Sequence, residues 1–594
     1  MTEIKVDYKA DSREASLSAE NLNLEWPQIA RICHSASDNV RLEGKNDIFL
    51  PWWAFLAVRK DIGYQLKRNA FRITYGPYAE YLLRDAKNRE SRYSKAGAKS
   101  EVNEQNLQQE LDRLGFRRVL KPYQYRNVAK LLPLPSGATF SVPGAGKTTE
   151  ALALFLLKKE KGDKLLIICP KNAFTVWEEQ VEDCYNEPGP TIKRLVHGEY
   201  NIGQILSEAP EMALVSYQQV PFVIDLIADY LLQNDVFVFL DESHHIKAGT
   251  AGKIGSSILS LSHLAKSRLV MSGTPLPNSD SDLVPQFSFL YPELSVDEFS
   301  VQRLVGPIFV RTTKSELGLL PPKRRLIHVE MNEAQGQLYR LLCSEIARVG
   351  HESLSRQDRH ALRAIGRSAL KLIQLVSNPS LLAKTPFSHP EILRAVLAEG
   401  DSPKLGRVVD RAREIASQGN KIVIWSSFVD NVELLATRLR DLGAEYIHGG
   451  VETGSEEEQE TREGKLKRFH DDPNCYALIA NPAACGEGIS LHKVCHHAIY
   501  LDRNYNAAQY LQSEDRIHRI GLAPDQETTI EIFCVENSVD LRVNQRLIRK
   551  AERMGAVLDD RELNIEPIPY ELDDIGLDLE DANDFLSHAK EYVS

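Results

Sequence analysis

At 594 residues the chain is longer than one hydrophobic core supports, so several domains are expected. Its 43% hydrophobic and 26% charged residues are those of an ordinary globular protein, and no window approaches the roughly 20 apolar residues of a membrane helix. The formal net charge of −11 argues against a uniformly basic nucleic-acid binder, but the charge is unevenly distributed.

The polar, mixed-charge N-terminus is no secretory signal. Residues 1–110, with "DIFLPWWAFLAV" and a helix predicted near 78–92, are expected to form an accessory domain for DNA or a partner protein. Within it, residues 59–99 hold eleven Lys/Arg against four Asp/Glu, interleaved with Tyr64, Phe71, Tyr75, Tyr78, Tyr81 and Tyr93. That stretch is either a DNA-binding or targeting surface or a solvated helix face.

Over 111–325, "ATFSV", "LLIICP", "MALVSY", "VFVFLD" and "RLVMSG" are continuous β-rich runs, as in parallel strands covered on both faces. Residues 326–400 are helical in pattern. A second strand series, "KIVIWSSF", "YALIAN", "HAIYLD" and "TIEIFCV", fills 401–555. The expected fold is α/β: two parallel-sheet domains, a helical segment between them and an N-terminal accessory domain. Residues 556–594 form an acidic tail; from 559 onward there are twelve Asp/Glu and two Lys/Arg. A partner-docking helix, a DNA-mimicking lid and a solvating tail are the three readings of it.

Eight cysteines without a Cys-x-x-Cys pair favour a reducing, cytoplasmic compartment, nucleoid-associated if the source is prokaryotic. His492, Cys495, His496 and His497 lead into an apolar strand and are read as strand-edge side chains rather than metal ligands.

"SVPGAGKTTE" follows a predicted strand and opens a helix, the context a phosphate loop requires. Gly144 and Gly146 let backbone N–H groups close around phosphates, and Pro143, Ala145 and Thr149 complete the loop. Lys147 would reach the β- and γ-phosphates, and the Thr148 hydroxyl would bind Mg²⁺. Further on, "VFVFLDESHH" ends a strand in Asp241-Glu242. Asp241 would hold the Mg²⁺, and Glu242 would orient or deprotonate the attacking water.

These motifs resemble those of helicase superfamily two, where a Gly-x-Gly-Lys-Thr loop without a leading Gly is normal. "FVRTTKSELGLLPPKRR", "VMSGTPLPNS", "LIQLVSNPSLL" and "LDRNYNAAQYLQSEDRIHRIG" narrow the resemblance to the Swi/Snf-type ATPases over about 115–555. That resemblance implies two RecA-like domains binding ATP. It implies that Gln124 reads adenine, that Gln512 helps hold the nucleotide, and that Arg516 and Arg519, three apart on a helix, point at the γ-phosphate. His244, Ser272, Gly273, Thr274, Gly488 and Asp515 would couple the domains, while Lys171, Trp177, Ser216, Tyr217 and Ser427 would contact DNA. The sequence departs from the family at Ala507, Leu522 and Glu487, none of them assigned to hydrolysis. The implied activity is ATP-driven translocation on double-stranded DNA, in repair, transcription-complex remodelling or defence against foreign DNA, with no membrane partner. The alternatives are a strand-separating helicase, an RNA-dependent ATPase, or a scaffold with a vestigial site.

Overall fold

Each predicted run contributes to a strand, "ATFSV" only with its first two residues, and these strands lie in two of three sheets. The computed structural model describes residues 3–19, 26–68, 72–95, 104–276, 279–353, 359–384, 387–452, 454–485, 489–503, 507–523, 526–558 and 579–593. The chain divides into two units, Met1–Thr313 and Lys314–Ser594.

In the first unit, a five-stranded sheet is made by β1 (Glu3–Lys9), β2 (Glu14–Ala19), β3 (Arg41–Glu43), β4 (Asp47–Pro51) and β5 (Arg72–Tyr75), in the order β3-β4-β2-β1-β5. Residues alternate inward and outward along β1, where Ile4, Val6 and Tyr8 are buried. This N-terminal region is less separate than its sequence suggests. The Tyr8 hydroxyl hydrogen-bonds His263 Nε2 at 2.7 Å, and Arg13 pairs with Asp225 at 2.7 Å. Arg59 donates to the Glu293 carbonyl at 2.5 Å, and the Tyr93 hydroxyl donates to the Leu304 carbonyl at 2.8 Å. The N-terminal elements and the next sheet are therefore one compact unit.

That next sheet has seven parallel strands: β6 (Ser136–Thr139), β7 (Lys164–Cys169), β8 (Ile192–Arg194), β9 (Met212–Ser216), β10 (Val236–Asp241), β11 (Ser267–Met271) and β12 (Phe309–Val310). Their order is β12-β6-β11-β10-β7-β9-β8, and central strands such as Leu165–Cys169 are buried throughout. Helices on both faces leave only the strand ends open, which is why polar chemistry gathers at the carboxyl edge.

The second unit repeats the arrangement with six parallel strands: β13 (Lys323–Val329), β14 (Lys421–Trp425), β15 (Glu445–Ile447), β16 (Ala477–Ala480), β17 (Cys495–Tyr500) and β18 (Thr529–Val535), in the order β13-β18-β17-β14-β16-β15. Strand β13 precedes the helical segment and pairs with β18 from Lys323↔Thr529 to Val329↔Val535. The second sheet thus begins earlier than the strand run starting at Lys421 indicates. Helices Glu333–Ser353, Arg359–Ser377 and Pro390–Ala398 follow. A buried ion pair, Lys404 to Asp540 at 2.7 Å, fixes the entry helix Pro403–Ser417 to the helix Val539–Val557. His492, Cys495, His496 and His497 sit at the start of β17, and His496 Nε2 bonds the His492 carbonyl at 2.9 Å.

The described part of the acidic tail is neither a solvating tail nor a free helix. Helix Leu579–Val593 packs on Glu333–Ser353 and Val539–Val557, burying Phe585, Leu586 and Ala589. Residues 559–578 lie outside the described residues. His588 Nε2 hydrogen-bonds the Tyr339 hydroxyl at 2.8 Å, and the Tyr339 and Tyr592 rings meet edge to face at 4.8 Å. Burial, with Arg542 adding a like charge, pushes the His588 imidazole down to about 4. The neutral ring is therefore the docked form, and docking strength is complete above the ordinary histidine range. It should be lost progressively as pH falls from about 6.5 towards 4, by up to about 3 kcal/mol. Hydrogen exchange of residues 579–593 across that interval should rise as pH falls, after correction for intrinsic rates. A profile unchanged from His588→Gln would show that the imidazole is not responsible.

Candidate functional site

Strand β6 runs into the loop 141–146, where Gly144 and Gly146 have φ of 87° and 82°. Both values lie in the left-handed region that glycine adopts without steric cost. A Cβ at Gly146 would stand 2.5 Å from Gln124 Nε2, so this glycine is also required by close approach. Gln124 is buried against the loop; its Nε2 donates to the Ala145 and Gly146 carbonyls at 3.2 and 3.4 Å. Its Oε1 accepts from the Lys121 N–H at 2.9 Å. Helix Lys147–Lys158 starts directly after the loop, with its unsatisfied N–H groups facing the cradle. Lys147 Nζ donates to the Ser141 carbonyl at 3.0 Å, and Thr148 is partly exposed beside it.

Ser141, where a stricter loop pattern has glycine, is fully buried and receives hydrogen bonds. Its Oγ accepts from the Thr312 N–H at 3.1 Å and from Thr139 Oγ1 at 3.2 Å, with Asn127 Nδ2 at a longer 3.5 Å. The Asn127 Nδ2 also donates to Glu150 Oε1 and Thr312 Oγ1, each at 3.0 Å. Thr139 Oγ1 lies 3.3 Å from Glu150 Oε2. Burial pushes the Glu150 carboxyl up to about 8 although Asn127 and Thr139 hydrogen bonds pull the other way. One polar cluster thereby joins the helix Pro122–Leu131, the loop, its following helix and the exit from the first unit.

Asp241 ends β10, separated from β6 by β11 alone. Trp177 Nε1 donates to Asp241 Oδ2 at 3.0 Å, and the Tyr217 hydroxyl donates to the Asp241 carbonyl at 2.8 Å. Glu242 is a non-glycine residue at φ 52°, a strained turn that re-aims its side chain. His244 Nδ1 is 3.4 Å from Glu242 Oε2 and 3.2 Å from Ser272 Oγ, and Ser272 Oγ reaches Glu242 at 3.5 Å. Gly273 packs so closely on the loop that a Cβ there would meet Pro143 Cδ at 2.8 Å. Thr274 is buried next to it. Burial and the neighbouring Glu242 charge push Asp241 above the usual carboxylate range, against Lys147. Burial acts the same way on Glu242, but the hydrogen bond and charge of His244, with Lys147, outweigh it and hold this carboxyl below the usual carboxylate range. The two acids are thus differentiated by their partners.

Several sequence expectations change. Trp177 and Tyr217 are completely buried, Trp177 bonded to the Asp241 carboxylate and Tyr217 to the Asp241 backbone carbonyl, so neither side chain is exposed to DNA as expected. Lys171 is exposed, two residues past the carboxyl end of β7, and Ser216, the last residue of β9, is partly exposed. The Thr149 hydroxyl bonds Gln180 Oε1 at 3.1 Å and Arg118 at 3.1 Å, away from the cradle.

In the second unit, helix Ala507–Ile517 carries Gln512, Asp515 and Arg516, all buried. The helix ends before Arg519, so the two arginines do not share a helical face as their spacing predicts. Arg516 Nη1 donates to the Ile489 carbonyl at 2.9 Å. Asp515 pairs with Lys314 at 2.5 Å, and Glu514 accepts a two-pronged contact from Arg324 at 2.9 and 2.6 Å. Arg324 holds Glu514 below the usual carboxylate range against its complete burial. Ser427 uses its backbone: the N–H donates to Asp502 Oδ1 at 2.7 Å. Asp502 Oδ2 also accepts from Ser426 at 2.6 Å, Ser377 at 2.7 Å and Asn431 at 3.2 Å. Gly488 lies outside the described residues.

The residues missed from the sequence are Asn127, Glu150, Thr312, Arg324 and Asp502. Asn127 could have been found, since it lies three residues after Gln124 on one helix. The others have no local signal.

Residues 136–381 match the SNF2-related domain, and 407–521 match the helicase conserved C-terminal domain. The chain is 24% identical over 451 residues to a probable global transactivator of Orgyia pseudotsugata multicapsid polyhedrosis virus, covering 72% of this chain and 87% of that one. It is 25% identical over 475 residues to the ISWI chromatin-remodeling complex ATPase ISW2 of Saccharomyces cerevisiae, covering 73% and 40%. It is 22% identical over 456 residues to the DNA annealing helicase and endonuclease ZRANB3 of Mus musculus, covering 71% and 39%. The chain therefore spans most of the viral relative but well under half of the other two. Among solved structures, the Sulfolobus solfataricus SWI2/SNF2 ATPase core in complex with dsDNA is 19% identical, with a TM-score of 0.32, covering 76% of this chain and 97% of that chain.

The buried Trp177–Asp241 contact makes a direct prediction. Trp177→Phe should lower kcat for ATP hydrolysis by about tenfold, the usual effect of removing a group that orients a ligating side chain, with unchanged affinity for duplex DNA. Weaker duplex binding at full kcat would return Trp177 to the DNA-contact role.

Proposed function

The chain belongs to the SNF2-related family of helicase-type ATPases, and from that premise we propose that it is an ATP-dependent translocase on double-stranded DNA. The observation that carries the reading is the arrangement at one sheet edge. A glycine cradle with Lys147 lies at the end of β6, and the Asp241–Glu242 pair lies at the end of β10. Such a site binds a nucleoside triphosphate by its phosphates and supports hydrolysis of the terminal one.

Mg²⁺ fits the donors present. Among the described residues no group of three or more His, Cys, Asp or Glu could hold a metal. A magnesium ion that is bound mainly through phosphate needs only one or two protein oxygens, and Thr148 and Asp241 would supply them. When bound, the ion would neutralise charge on the phosphates. Lys147 would release the Ser141 carbonyl to reach the β- and γ-phosphates. Glu242, anionic at neutral pH and steadied by His244 and Ser272, would take or orient the proton of the attacking water. Lys171 and Ser216, at the carboxyl ends of the neighbouring strands β7 and β9 of the seven-stranded sheet, are the proposed DNA contacts there. Contacts of this kind reach phosphates and carry no sequence preference.

The reading is tested by ATP hydrolysis with duplex DNA, single-stranded DNA and RNA. Duplex should stimulate most, with an apparent affinity that falls as a power of the salt concentration. Lys147→Ala should abolish turnover. Glu242→Gln should reduce kcat about 10²–10⁴-fold while nucleotide binding persists. Stimulation by RNA or single strands alone would replace the duplex substrate, and turnover surviving both substitutions would overturn the site.

A further inference from the structure

Outside the nucleotide site, the most unusual surface is on the N-terminal sheet. Tyr64, Tyr75, Tyr78 and Tyr81 are 67%, 40%, 42% and 58% exposed, within eighteen residues of one another. Tyr75 closes the edge strand β5, and Tyr78 and Tyr81 lie on the helix Pro77–Tyr93 that follows. The helix Trp52–Arg68, which carries Tyr64, packs beside β5.

The rings are held rather than loose. Tyr78 and Tyr81 stack with planes 13° apart and centroids 6.1 Å apart. Tyr8 backs Tyr78 at 5.3 Å, and Tyr8 itself meets Trp52 edge to face at 5.1 Å and hydrogen-bonds the buried His263. An aromatic ladder thus runs from the interior of the first unit to the outermost ring, Tyr81. Rings fixed from below lose little freedom when something stacks on them.

The charge around the ladder selects the partner. Arg72, Arg84 and Lys87 are exposed and form no ion pair with any described residue. The acids nearby are largely occupied: Asp85 pairs with Arg89 at 2.5 Å, and Glu90 bridges Arg59 at 2.7 Å and Lys60. Among the described residues, Glu3, opposite Arg72 in the β1–β5 register, Asp61 and Glu80 remain as exposed counter-charges. Parallel aromatic faces amid unpaired cations suit a polyanion with flat apolar groups.

We propose that this face binds unpaired bases of a nucleic-acid strand, stacked on Tyr81 and Tyr78, with Arg72, Arg84 and Lys87 at the phosphates. Bases paired inside a duplex offer no free face to such rings, whereas those of a single strand do. The site is separate from the cradle and does not depend on ATP.

The test uses the full chain without nucleotide and two probes, an oligothymidine containing 2-aminopurine and a blunt duplex. The wild-type chain and Tyr78→Phe/Tyr81→Phe should quench 2-aminopurine and bind the single strand alike. Tyr78→Ala/Tyr81→Ala should lose the quenching and weaken single-strand binding about tenfold or more, leaving duplex affinity unchanged. Retained quenching and affinity in the alanine variant would overturn the proposal and leave the face to a protein partner. So would an equal loss for single strand and duplex, since a stacking platform must discriminate. Should the double substitution fail to fold, Tyr81→Ala alone, removing the outermost ring, must show the same selective loss.

Discussion

One buried amide holds the glycine loop and its flanks together. Asn127 donates to Glu150 and Thr312 and lies within reach of Ser141, and each of these belongs to a different segment of the first unit. A buried polar group left without its partner costs about 1–3 kcal/mol. The cluster therefore stays complete only while the loop, its helix and the chain at Thr312 keep their places. Gln124, one turn earlier on the same helix, carries this order to the loop carbonyls. The cradle is rigid because its flanks are hydrogen-bonded to each other.

The second unit uses charge for the same purpose. Lys314 and Arg324 engage Asp515 and Glu514, neighbouring residues of one helix. Both cations come from the stretch that enters the unit, so the entering chain is fastened to the helix bearing Arg516. Asp502 does comparable work below, gathering Ser377, Ser426, Ser427 and Asn431 onto a single carboxylate. Buried pairs of this kind contribute little net stability, because desolvation offsets their attraction, but they admit few alternative arrangements.

The two parallel sheets were legible in the sequence because buried parallel strands require unbroken apolar runs, and "LLIICP" or "VFVFLD" can satisfy little else; the N-terminal mixed sheet, with its short half-exposed strands, was not. The phosphate loop and the acidic pair were legible because glycine, lysine and adjacent carboxylates at strand ends are tied to one chemistry. What remained hidden were relations between distant segments. Nothing local marks Trp177 as the partner of Asp241, since a tryptophan on an amphipathic helix looks the same whether it faces a carboxylate or a ligand. Helical spacing placed Arg516 and Arg519 together, but the helix ends two residues before the second. The tail's docking place on its own chain was hidden because its acids dominate the count, although Phe585, Leu586 and Ala589 form the stripe that docks it.

Ser141 gives this arrangement a further meaning. Its hydroxyl does not wrap a phosphate; it ties the loop to Thr312 and Thr139. A glycine there would satisfy the commonest phosphate-loop pattern while removing an acceptor that the Thr312 N–H uses. Position 141 therefore forms a set with 127, 139, 150 and 312, within which the best residue at one place depends on the other four. Among relatives these positions should change together, and the serine that weakens the pattern match is the trace of that mutual dependence.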